Sequence, residues 1–137
     1  MTLNNRLKDA ITGSLALFER GDHAEALKVL DEATVEAIRE GDVRWIRTLC
    51  HHAAIMSRSI ENWASAKHYY EQSLASDPEN ARALYGLAAI ALDESDPVTA
   101  RRYATRCHAS IVGTDDEILK VGLLDLIAKN WPDLVEK

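Results

Sequence analysis

The stretch ENWASAKHYYEQSLASDPEN, residues 61–80, holds one complete helix together with the signals that start and end it. Asn62, or the residue beside it, starts the helix. The Asp77-Pro78 step ends it, because proline lacks a backbone donor and disfavours helix in the residue before it. Between these points the apolar residues recur every three or four positions, as on one face of a helix. The stretch therefore predicts an α-helix with Ala66 in its first turn.

The same skeleton occurs three times along the chain of 137 residues. A small or polar turn is followed, at a constant offset, by an alanine on an otherwise helical run. The three copies are Gly21-Asp22 with Ala26, Glu61-Asn62-Trp63 with Ala66, and Ser95-Asp96 with Ala100. Such repetition is typical of stacked helix-turn-helix units, and almost nothing in the chain alternates with period two. The sequence therefore predicts an all-α fold of about seven helices.

The residues from Arg47 to Asn80 resemble the tetratricopeptide repeat. Ala54, Ala66, Tyr70, Ser73 and Pro78 occupy that family's small, alanine, aromatic, small and proline positions. The resemblance implies a right-handed superhelical array of antiparallel helix pairs in a single domain, residues 1–137. The repeats are expected at about 7–46, 47–80 and 81–114, with a truncated fourth at 115–137.

The first helix of each pair lines the concave surface in this family, and the resemblance places a partner-binding groove there. Its residues are Ile11, Leu15, Phe18, His51, Ile55, Arg58, Arg82, Tyr85, Leu92, Leu119, Leu123 and Leu126. Together they form a mostly apolar trough with a polar break at His51 and Arg58. Such a trough favours a peptide or an amphipathic helix with apolar anchors. A shift of one position would instead pack Ile11, Leu15, Ile55 and Leu123 between helices.

The helix of the truncated fourth repeat is unusually apolar. We expect it to begin at Thr114, where Thr114 and Glu117 match a capping box. A helix that is apolar all round is normally buried all round, whereas the last helix of a repeat array should be polar outside. Three kinds of cover are therefore expected for it: a second copy of the protein, a different partner, or the residues Trp131, Leu134 and Val135 folding back.

The charge balance limits the kinds of partner. The formal net charge of -6 argues against nucleic acid and anionic membranes, which need clustered basic charge. Arg101, Arg102 and Arg106 crowd one segment, but acidic residues come just before it, so we interpret the segment as a solvated helix face. No stretch is apolar and long enough to cross a bilayer, and no signal peptide is apparent. With two cysteines, the chain is expected to be reduced and cytoplasmic.

No motif for catalysis is present: a glycine-rich phosphate loop, a nucleophile elbow and an HExxH pattern are all missing. Cys50-His51-His52 and Cys107-His108 suggest zinc, but neighbouring residues on a helix point about 100° apart and cannot easily share one metal. We therefore expect no enzyme activity, no metal and no cofactor. The leading hypothesis is a protein-interaction module. The alternative is a structural module that forms a homodimer through the apolar C-terminal helix.

Overall fold

A computed structural model describes residues 2–135, which form seven α-helices and one short 3₁₀ helix. The helices are α1 (Leu3–Glu19), α2 (His23–Glu40), α3 (Val43–Ser59), α4 (Trp63–Ser76), α5 (Ala81–Asp93), α6 (Pro97–Val112) and α7 (Glu117–Asn130), and Pro132–Leu134 forms the 3₁₀ helix. No strand occurs between residues 2 and 135. The predicted all-α fold is confirmed.

The repeated turn of the sequence is also a repeated backbone structure. The residue before the cap has a positive φ in each copy: 89° at Gly21, 58° at Glu61 and 60° at Ser95. The next residue then donates its backbone N–H back into the preceding helix. The N–O distance is 2.8 Å both from Asn62 to Ser57 and from Asp96 to Ala91. A left-handed residue followed by such a bond closes the end of a helix, so the turn ends one helix and positions the next.

Side-chain caps fix most of the helix starts. The side chains of Asn62 and Asn80 accept hydrogen bonds from the backbone N–H of Ser65 and Ala83, at 3.2 and 3.3 Å. Asp96 caps α6 in the same way, at 3.1 Å from the N–H of Thr99. These bonds satisfy backbone donors that have no partner inside the helix. Since such a cap depends only on local sequence, the start of α4 at Asn62 could be predicted.

The predicted start of the last helix was wrong by about one turn. Asp116 is the N-cap of α7, and its carboxylate accepts the N–H of Leu119 at 3.0 Å. The Thr114 hydroxyl instead accepts the N–H of Asp116 at 3.3 Å, in the turn before the helix. Thr114, Asp115 and Asp116 are all suitable caps, so the local sequence alone does not select among them.

The helices form two compact units that divide between Asp77 and Pro78. In unit 1, α2 packs against both α1 and α3, α4 packs against α3, and α1 also contacts α3. In unit 2, α6 packs against α5 and α7, α7 contacts α5, and the 3₁₀ helix packs against α7. The single domain and its repeat boundaries stay a prediction.

Alanines lie at fully buried positions after the repeated turns. Ala26, Ala66 and Ala100, one after each repeated turn, have no exposed surface at all. A methyl group at these positions allows two helix backbones to approach, and a larger side chain would collide with the neighbouring helix. We therefore expect each of these positions to require a small side chain.

Candidate functional site

In unit 1 the first-helix face consists of side chains from α1 and α3. Ile11, Leu15 and Phe18 follow one another at helical spacing on α1, and His51, Ile55 and Arg58 do so on α3. Leu15 is 41% exposed and Ile55 is 42% exposed, whereas the other four are partly buried. Leu15 and Ile55 are therefore surface residues, and the alternative that they pack between helices does not hold for them.

The polar break in this face is held in place by the second helix of the pair. Arg58 donates from Nη1 to the hydroxyl of Tyr70 on α4, at 3.3 Å. Tyr70 is buried and keeps that hydroxyl at a fixed point. On the same helix but outside this face, burial lowers the pKa of His52, so its imidazole is neutral at neutral pH. The face therefore combines exposed aliphatic groups with one positioned cation.

In unit 2 the predicted site residues are divided between surface and core. On α5, Arg82 is exposed, Tyr85 is partly buried and Leu92 is 39% exposed. On α7, Leu126 is 38% exposed and Leu119 is partly buried, but Leu123 is only 6% exposed. The expectation that Leu123 lines the groove is thereby corrected. Since α7 is apolar on every side, the sequence could not show which of its faces points inward.

Residues 130–133 contact α5 and α6 within unit 2. Trp131 is 7% exposed, and its ring meets that of Tyr85 edge-on, with the centroids 6.4 Å apart. Asn130 donates from Nδ2 to the Tyr85 hydroxyl at 3.5 Å, and Asp133 forms an ion pair with Arg101 of α6. Of the residues expected to cover α7 by folding back, Trp131 therefore lies in the core of unit 2, against α5.

This cover does not extend to the outer side of α7. Ile118 is 88% exposed and Val121 is 64% exposed, and Val112 at the end of α6 is 56% exposed. Apolar side chains with such large exposure forgo the burial that usually stabilises them. Ile118 and Val121 are three residues apart, and so are neighbours on the surface of α7; we call these two residues the outer patch.

The cysteines are structural. Cys50 and Cys107 are both free and buried. Burial raises the pKa of each thiol to about 12, and the nearby Asp31 carboxylate adds to the shift at Cys50. A thiol rather than a thiolate is then present at neutral pH, which makes both residues poor nucleophiles. From residue 2 to residue 135, no group of three or more His, Cys, Asp or Glu side chains is arranged to hold a metal.

None of the helices between residues 2 and 135 combines the length and the apolar character that a bilayer span requires.

Residues 58–107 match the model of the tetratricopeptide repeat family. The resemblance to the tetratricopeptide repeat is confirmed. This match includes the end of α3, all of α4 and α5, and most of α6, with the turns at Asp77-Pro78 and Ser95-Asp96 inside it. A search of curated proteins found no match.

Solved structures with the same fold include the Yersinia enterocolitica type III secretion translocator chaperone SycD. One structure of SycD matches with a TM-score of 0.70 and 14% identity, over 92% of this chain and 90% of SycD. Another, described as an alternative dimer, matches with a TM-score of 0.65 and 16% identity, over 92% and 94%. At this low identity the likeness establishes the tetratricopeptide-like fold.

Two contacts of the site were not predicted from the sequence. One is the bond between Arg58 and Tyr70, and the other is the packing of Trp131 on Tyr85. The residues Lys129-Asn130-Trp131 resemble the earlier turn Glu61-Asn62-Trp63, since both have a charged residue followed by asparagine and tryptophan. In the structure, however, a 3₁₀ helix follows Trp131, whereas a full α-helix follows Asn62.

Proposed function

We propose that this protein is a non-enzymatic interaction module that holds a peptide or an amphipathic helix of another protein. The contact surface is the first-helix face, with Ile11, Leu15, Phe18, His51, Ile55 and Arg58 in unit 1. In unit 2 the corresponding residues are Arg82, Tyr85, Leu92, Leu119 and Leu126. The observation that carries the proposal is the exposure of Leu15 and Ile55, which are 41% and 42% exposed. The other four residues of the face in unit 1 are also partly accessible to solvent.

The physical basis of binding is the burial of these aliphatic side chains. Burying a fully exposed leucine or isoleucine is worth about 1.5–3 kcal/mol, so a partner that covers the exposed 41% of Leu15 and 42% of Ile55 gains about 1–2.5 kcal/mol from the two together, against about 8 kcal/mol for a micromolar affinity. Arg58 would orient the bound partner. Its guanidinium is positioned by the hydrogen bond to Tyr70 and can donate to a carboxylate or to a backbone carbonyl of the partner. Apolar anchors with one oriented donor are typical of helix or peptide recognition.

The comparisons support the general class of this function. The tetratricopeptide fold is a repeat architecture whose extended surfaces serve protein binding. SycD, which has the same fold, is by its name a chaperone of a secretion translocator. A holding role for this chain is consistent with that fold. The two free cysteines fit a reducing compartment, and a cytoplasmic location is part of the proposal.

The proposal is tested by exchanging the exposed anchors. The double variant Leu15→Asp and Ile55→Asp is expected to retain about tenfold less partner in quantitative capture from source lysate, because aspartate cannot be buried against an apolar side chain. The matched control is Val35→Asp with Ile38→Asp on α2, where both residues are 46–53% exposed but lie outside the face. Equal capture by parent and test variant, or equal loss in the control, would contradict the proposal.

The outer patch favours a second candidate function, which is assembly of a homodimer through α7. Ile118 and Val121 are more exposed than any large apolar residue of the first-helix face. A dimer of this kind would dissociate in the variant Ile118→Asp with Val121→Asp, and light scattering would detect the change. If the variant with Leu15→Asp and Ile55→Asp captures less partner but keeps the oligomeric state of the parent protein, the result supports the interaction module instead.

A further inference from the structure

The outward side of α6 carries a stripe of basic residues. Val98, Arg101, Arg102, Thr105 and Arg106 lie along it at helical spacing and line a shallow depression of about 480 Å³. The buried residues of α6 are Ala100, Ala104, Cys107 and Ile111. At 100° per residue, the two sets fall on opposite sides of the helix. We call the five lining residues the α6 stripe.

The cations of the α6 stripe are partly fixed in position. Arg101 forms an ion pair with Asp133. The Arg106 guanidinium lies 5.8 Å from the centre of the Tyr103 ring and donates to the backbone carbonyl of Pro78 at 3.4 Å. Arg102, between them, has no such contact to any residue from 2 to 135. Fixing an arginine in advance lowers the entropy lost when it binds a ligand.

The charge of the α6 stripe is opposite to that of the chain. Three arginines face outward with one carboxylate, Asp133, paired among them, although the whole protein has a formal net charge of -6. Guanidinium groups at this spacing match carboxylates, which they bind with two parallel hydrogen bonds. Val98 is 69% exposed at one end and offers an apolar contact beside the charges.

The size of the stripe favours a short peptide segment over a nucleic acid or a membrane. From Val98 to Arg106 the helix rises about 12 Å, which is the length of about two turns of a facing helix. Extended polyanions would bring many charges close to a protein that is acidic overall, and that repulsion opposes their binding. A segment with two or three carboxylates on one face meets only the basic residues.

We propose that the α6 stripe is a second docking surface, and that its ligand is a carboxylate-rich helical segment of a partner protein. The carboxylates contact Arg102 and Arg106, and an apolar side chain next to them contacts Val98. This surface is on the second helix of its pair and shares no residue with the first-helix face. The proposal therefore does not depend on the proposed function.

A direct test uses a labelled synthetic helical peptide with glutamates three and four residues apart on one face. In fluorescence anisotropy at low ionic strength, the parent protein is expected to bind this peptide about tenfold more tightly than the same peptide with glutamine at those positions. Arg102→Glu with Arg106→Glu should weaken binding about tenfold. The control, Arg39→Glu with Arg44→Glu, makes the same change in net charge at exposed positions of α2 and α3 and should leave binding unchanged.

Several outcomes would overturn the proposal. One is equal binding of the glutamate and glutamine peptides, and another is equal weakening by the control variant. Binding of anionic vesicles or of RNA that the α6 variant abolishes would make the stripe a polyanion site instead. A salt-sensitive dimer that the same variant dissociates would identify the ligand as a second copy of the chain. Circular dichroism of each variant confirms that it is folded before binding is compared.

Discussion

Replacing Trp131 with alanine is expected to lower the free energy of unfolding by about 3–5 kcal/mol, which is the usual cost of truncating a buried aromatic side chain to a methyl. Trp131 is 7% exposed and packs edge-on against Tyr85. Its loss would leave a cavity between α5 and the end of α7, and it would release the 3₁₀ helix. Urea denaturation followed by far-ultraviolet circular dichroism measures the effect, since tryptophan fluorescence would change with the substitution itself.

Two controls separate packing from other effects at this position. Trp131→Phe keeps an aromatic ring and should retain much of the stability that alanine loses. Ile118→Ala removes a large side chain that is 88% exposed, so its effect should stay within about 0.5 kcal/mol. A loss below about 1 kcal/mol for Trp131→Ala would mean that the C-terminal residues do not pack on α5 as the structure shows.

Replacing Ala66 with leucine is expected to destabilise the protein by about 1–3 kcal/mol through overpacking. Ala66 has no exposed surface and lies in the first turn of α4, where α4 packs against α3. The additional carbons of leucine have no free space there, so either the side chain leaves its preferred rotamer or the two helices move apart. The change would appear as a lower urea midpoint with an unchanged slope.

The same helix provides the control for this prediction. Ala64 is in the same first turn but is exposed, and leucine and alanine have similar helix propensities. Ala64→Leu should therefore have a stability within about 0.5 kcal/mol of the parent. If Ala64→Leu and Ala66→Leu behaved alike, the repeated alanine would not mark the close approach of two helices.

The helices could be predicted because their signals are local. The left-handed residue at Gly21, Glu61 or Ser95 and the polar residue after it act within a few positions of the chain. Alanine at a fixed offset from each turn then set the register of the repeats. Three neighbouring caps, Thr114 to Asp116, left the start of α7 undecided, since tertiary packing selects among them.

The direction of the helix faces followed from the repeat phase and not from polarity. On α3 the polar Ser57 is buried and the apolar Ile55 is exposed, as the repeat phase and not the hydrophobic pattern would place them. On α7 the same phase placed Leu123 on the surface, but Leu123 is buried. The bond from Arg58 to Tyr70 joins two helices, and sequence spacing carries no information on such a contact.

Photocrosslinking at position 55 tests the central claim most directly. A photoreactive benzoylphenylalanine in place of Ile55 lies on the first-helix face, and the same residue in place of Val35 lies on the exposed side of α2. If the first-helix face binds a partner protein, irradiation in source lysate should yield a discrete crosslinked product from position 55 and none from position 35. The same product from both positions, or only crosslinked copies of this chain from position 55, would contradict the account.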